Sequence, residues 1–138
     1  MDYCYWKKGS CSGIVAGIIW GWLAMAVNAV TGVFLFEHSI MHNLTAFAAG
    51  GAIFGLVVGG FLMLIHDRLP FKSFLSKAVL LSTSIWLTLR IGGSFLSYIA
   101  SGRYHVDRVA DIQGIILAAI LGCILWAFWR IRQKGVSS

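Results

Sequence analysis

Apolar residues in this chain come in four long runs, and the charged residues gather in the short stretches between them. A bilayer core about 30 Å thick is crossed by roughly 20 apolar residues in a helix. The runs at 12–36, 44–65, 78–100 and 112–129 meet that length, the last also readable from about Asp107. The pattern predicts an all-α integral membrane protein, with four transmembrane helices in a compact bundle. Together the spans take up most of the chain, so residues 1–138 read as a single transmembrane domain. The stretch 66–77 mixes Phe71, Phe74 and Leu75 with Lys72 and Lys77, the composition of an interfacial loop. Pro70 marks the break before it.

Composition agrees with the pattern. Of 138 residues, 59% are hydrophobic and 12% charged, about half the roughly 25% charge of soluble domains. Mean hydropathy is +0.83. These values exclude a soluble globular enzyme, a disordered chain and a disulfide scaffold. Lys7 and Lys8 ahead of an apolar run, with Ala24-Met25-Ala26 inside it, follow the grammar of a signal peptide. The run continues to Phe36, too far for a signal peptide's apolar region, so it reads as a retained span.

Charge sets the expected orientation. Lys7, Lys8, Arg68, Lys72, Lys77, Arg130, Arg132 and Lys134 fall on one side of a four-span topology. The other side holds Arg103 and Arg108 against Glu37, Asp107 and Asp111. Basic residues stay in the cytoplasm, so both termini are expected inside. In a bacterium the membrane would be the inner, or plasma, membrane. Trp6, Trp126 and Trp129 would then form the inner aromatic belt, and Tyr98 and Tyr104 the outer one. The net charge of +6 points to the anionic inner leaflet as partner. No basic stripe with interleaved aromatics suggests nucleic acid.

Thirteen of the sixteen glycines lie inside the spans. In lipid, glycine lets two helix backbones approach closely. Gly13, Gly17 and Gly21 share one face of the first span, and Gly51, Gly55 and Gly59 one face of the second. Gly114, Ala118 and Gly122 repeat the spacing in the fourth. These stripes predict tight helix packing, with a face left over for self-association or for another membrane subunit.

Arg90 is the one charge well inside a predicted span. Its insertion costs about 2.5–3.5 kcal/mol, so an intramembrane Arg marks a candidate site. Counting about 1.5 Å per residue from the outer end sets it roughly 16 Å deep. Asn28, Thr31 and Ser94 fall at neighbouring depths. The expectation is a polar layer of Asn28, Thr31, Arg90 and Ser94 serving an anion, a lipid headgroup or a pore. The competing expectation has Arg90 snorkelling from a helix that ends near Leu89, or bridging to helix carbonyls or to a partner subunit's carboxylate.

The outer connections carry Glu37, His38 and His42, and His105, Asp107 and Asp111. His38, His42, His105 and Asp107 are the candidate metal ligands, because imidazole and carboxylate suit zinc, copper or iron. Asp111 also suits the first turn of the fourth helix, where a negative charge meets the helix dipole. Cys4, Cys11 and Cys123 have no metal or disulfide spacing. Cys123 reads as a small buried hydrophobe.

No Walker motif, dinucleotide fingerprint, GxSxG or HExxH is present. In size the chain is similar to small proton-coupled multidrug exporters. Those need a membrane carboxylate, and no Asp or Glu falls within the predicted spans. No cofactor is predicted. The first functional reading is an accessory or structural subunit of a membrane complex, or a self-assembling one. The second is an oligomeric channel or transporter for an anionic solute past Arg90. The third is a metal or redox site in the outer loops. An enzyme is not favoured.

Overall fold

The computed structural model describes residues 3–33, 39–65, 67–101 and 108–134. They form four helices: α1 (Tyr3–Thr31), α2 (Ile40–Ile65), α3 (Phe74–Ser101) and α4 (Arg108–Lys134). All four are long and apolar enough to cross a membrane, as expected of a multi-pass integral membrane protein. The start of α1, the α2–α3 turn and the end of α4 lie at one end of the bundle.

Helix boundaries differ from the apolar runs where local chemistry overrides hydropathy. α1 stops at Thr31, five residues before its apolar run ends. Gly32 takes a left-handed φ of 64° and donates its N–H to the Asn28 carbonyl at 2.8 Å, a glycine C-cap. α2 begins earlier than its run because Ser39 caps it. The Ser39 Oγ accepts from the His42 N–H at 3.4 Å, and its carbonyl accepts from the Asn43 N–H at 3.1 Å. The expected 66–77 interfacial loop is shorter than drawn, since α3 already begins at Phe74. α3 does not end near Leu89 but continues to Ser101.

Glycine decides how α1 meets α2. A methyl group at Gly17 would strike the Gly51 carbonyl, and one at Gly55 would strike the Gly13 carbonyl. A methyl at Gly59 would press on the Gly9 carbonyl and the Gly13 Cα, and Gly21 lies on the backbone of Phe47. The two stripes therefore pack on each other, backbone to backbone. That closeness maximises dispersion contact and permits weak Cα–H···O contacts.

α3 and α4 form a second antiparallel pair with side chains set between them. Gly114 leaves room for the Trp86 ring, and Gly122 for the backbone at Val79, 2.6 Å from where a Cβ would sit. Between these, fully buried Ser82 donates its hydroxyl to the Ala118 carbonyl at 2.7 Å. At the far end Phe74 stacks on Trp129, ring centroids 5.0 Å apart.

The two pairs join through α1 and α4. Trp20 donates its indole N–H to the Leu117 carbonyl at 2.6 Å, and its ring lies 5.2 Å from that of Phe54. Ala16, Val58, Leu121 and Leu125 form the shared core. Leu62, Met63, Ala78 and Leu81 extend it toward the termini end. Toward the other end, α2 and α3 diverge. Cys123 is exposed on the outer face of α4, correcting the expectation that it is buried. Apolar runs do not reveal which face of a helix looks outward.

Candidate functional site

The site is built around Arg90. Its Nε donates to Asp111 Oδ1 at 2.5 Å, an ion pair between α3 and α4. The partner of this Nε is thus a carboxylate of the same chain, in place of a helix carbonyl or a partner subunit's carboxylate. Asp111 lies in the first turn of α4, which starts at Arg108, so it sits within the apolar span. The expectation that no acid lies in a span is corrected accordingly: the apolar run at 112–129 misses the helix's opening turn. Pairing offsets the insertion cost of Arg90, and the N-terminal end of α4 favours the Asp111 charge. Both side chains keep partial access, 36% and 32%.

α3 runs about 16 Å past Arg90, whereas α4 begins about 4.5 Å before Asp111, so α3 overhangs α4. From the other end, Arg90 stands about 24 Å along α3 from Phe74, and Asp111 about 27 Å along α4 from Trp129.

Beside the ion pair, the divergence of α2 and α3 opens a lateral cleft of about 580 Å³. Its walls include Ala46, Gly50 and Phe54 of α2, and Trp86, Leu89 and Arg90 of α3. Trp20 lies at its back. Among the described residues, Arg90 is the only charged one on these walls.

The other expected site residues do not gather at this point. Thr31 is exposed and donates to Gln113 Oε1 at 3.0 Å, beside a separate groove of about 310 Å³ between α1 and α4. Asp111 and Gln113 are two residues apart, so they point to nearly opposite sides of α4 and split Arg90 from Thr31. Asn28 is buried, 1% exposed, and Ser94 is half-buried one turn beyond Arg90. Among the candidate metal ligands, His38, His105 and Asp107 lie outside the described residues. His42 is exposed at the start of α2. Among the described residues, no three His, Cys, Asp or Glu side chains gather as a metal site.

Trp20 and Trp86 are the site's unanticipated members, and Asp111, singled out for the outer connections and the first turn of α4, takes the unexpected part of partner to Arg90. In an antiparallel pair, one residue number falls as its partner's rises. With Gly114 set against Trp86 and Gly122 against Val79, the same register brings Asp111 opposite Arg90; that register comes from the packing, and the sequence signal was limited to the small residues themselves.

No protein-family model, no curated protein and no solved structure matches this chain.

Proposed function

We propose that this protein is a non-catalytic membrane subunit that associates with other membrane helices, its own copies or those of a larger complex, through the overhanging part of α3. The basic residues at the termini end assign that end to the cytoplasm, so the overhang faces outward. The carrying observation is the bare apolar surface of α3. Only 11% of its apolar stretch is buried, against 28–39% in the other three helices. Beyond Arg90, Ile91, Phe95, Leu96 and Ile99 are each more than 60% exposed. With the ion pair near the core edge, this tail reaches the headgroup region, where exposed apolar surface favours a protein neighbour.

The three glycine stripes are not that surface, because neighbours within the chain already occupy them. Gly92 and Gly93 remain, with no atom within 4 Å of either missing side chain. They allow a foreign helix to approach the backbone of α3.

The test is the mass of the intact assembly purified in mild detergent. A particle larger than the 15.1 kDa chain is expected. Gly92→Leu with Gly93→Leu should release the chain as a folded monomer with its unfolding midpoint unchanged. A monomer in the unsubstituted protein, with no partner, overturns the proposal.

A further inference from the structure

We infer that the α2–α3 cleft is a binding site for one anionic phospholipid of the leaflet that meets the Arg90 end. Its phosphate would sit on the free edge of the Arg90 guanidinium, with one acyl chain lying in the cleft. The site is separate from the α3 overhang and needs no partner protein.

Three observations converge on this occupant. First, among the described residues only half of the Arg90 guanidinium is used. Its Nε is taken by Asp111, and its two Nη groups have no partner among the described residues. Those N–H groups present the second edge of a planar fork, the geometry that receives a phosphate. Asp111 holds the fork in place and leaves that edge open.

Second, the height fits. Arg90 stands about 24 Å from Phe74 along α3, close to where a core about 30 Å thick gives way to phosphates. A soluble anion could reach this height too, but it would gain nothing from the walls below.

Third, those walls suit a hydrocarbon chain. From Arg90 the cleft runs one turn down to Trp86 and across to Phe54, past Ala46 and Gly50. A side chain at Gly50 would meet no atom within 4 Å, so the α2 backbone forms an open floor there. The volume of about 580 Å³ lies within the range of small-molecule sites.

The experiment counts lipids retained by the full chain in native mass spectrometry. The probes are dioleoyl phosphatidylglycerol and dioleoyl phosphatidylcholine in equal amounts. One phosphatidylglycerol per chain is expected, preferred by about tenfold: both lipids offer a phosphate to the fork, and the positive charge of choline opposes Arg90. Arg90→Gln with Asp111→Asn keeps a neutral hydrogen-bonded pair and should bring the preference to about one. Gly50→Leu fills the cleft without touching the ion pair and should lower retention of both lipids by about tenfold. Glycerol phosphate in millimolar excess should leave the lipid bound.

A chain without headgroup preference overturns the inference, as does a preference that survives the double substitution. Displacement by glycerol phosphate would mark a free-anion site instead, and a second chain filling the cleft would exclude the lipid. Retention is counted per chain, so a monomeric protein that keeps the preference separates this inference from the proposed subunit role.

Discussion

Trp20 of α1 donates its indole N–H to the main-chain oxygen of Leu117 in α4, at 2.6 Å. This bond ties the two helical pairs together beside the cleft. The Leu117 carbonyl lies within α4 and has a second lone pair available. Replacing Trp20 with Phe keeps most of the ring contact with Phe54 and removes the donor. Interhelical hydrogen bonds in membranes average about 0.6 kcal/mol and reach about 1.7. Trp20→Phe should lose an amount in that range, read as a shift in the reversible unfolding midpoint in detergent. Trp20→Leu should lose more, since packing goes as well. Equal effects would show that the N–H contributes nothing.

Gly50 and Gly51 are neighbours in sequence with opposite surroundings. At Gly51 a Cβ would collide with the Gly17 carbonyl; at Gly50 it would meet open space. Gly51→Ala should therefore destabilise by about 1–3 kcal/mol, the range for overpacking a tight interface. Gly50→Ala should be neutral, or slightly stabilising through helix propensity. Thermal unfolding of the two variants checks the contrast, and a loss at Gly50 as large as that at Gly51 would refute the stripe assignment.

Arg90 and Asp111 should behave as one unit. Replacing either by Leu leaves an uncompensated charge, a loss of about 3–5 kcal/mol for a fully buried pair. Here each side chain is about a third exposed, so a smaller loss is expected. Arg90→Leu with Asp111→Leu should lie closer to the unsubstituted protein than either single change. Strictly additive losses in this double-mutant cycle would mean that the pair does not couple.

Two buried serines should respond with opposite signs. Ser82 donates across the α3–α4 interface to Ala118, so Ser82→Ala should cost about 0.6–1.7 kcal/mol. The Ser10 hydroxyl is buried without a partner among the described residues. Ser10→Ala removes an unsatisfied group and should stabilise by up to about 1 kcal/mol. Unfolding midpoints of the two variants, measured in the same detergent, decide the signs.

Gly114 and Trp86 form a size-matched pair. A methyl at Gly114 would enter the Trp86 ring. Gly114→Ala should destabilise the α3–α4 pair by about 1–3 kcal/mol. Adding Trp86→Leu should restore part of that loss, because a smaller side chain vacates the space. No recovery would place the strain elsewhere.

Four apolar helices were legible in the chain because membrane insertion depends on length and hydropathy, both local properties. The glycine stripes at Gly13, Gly17 and Gly21 and at Gly51, Gly55 and Gly59 were visible for a similar reason: helical spacing alone puts them on one face. The ending of α1 at Gly32 was missed because an apolar count ignores a left-handed cap. The exposure of Cys123 was missed because a lipid-facing surface and a core are equally apolar.

The site depended on relationships between helices. Sequence singled out Arg90 as an expensive charge in a span, but not which residue faces it. Pairing with Asp111 follows from the register of α3 against α4, which the fits at Gly114 and Gly122 set. That register makes α3 overhang α4 beyond Arg90. It also separates Arg90 from Thr31, since Asp111 and Gln113 point to different sides of α4. Hydropathy and helical spacing act within one helix and were settled by the chain alone. Register, overhang and the cleft arise only when helices pack, because packing fixes which side chain finds a partner and which face is left to lipid.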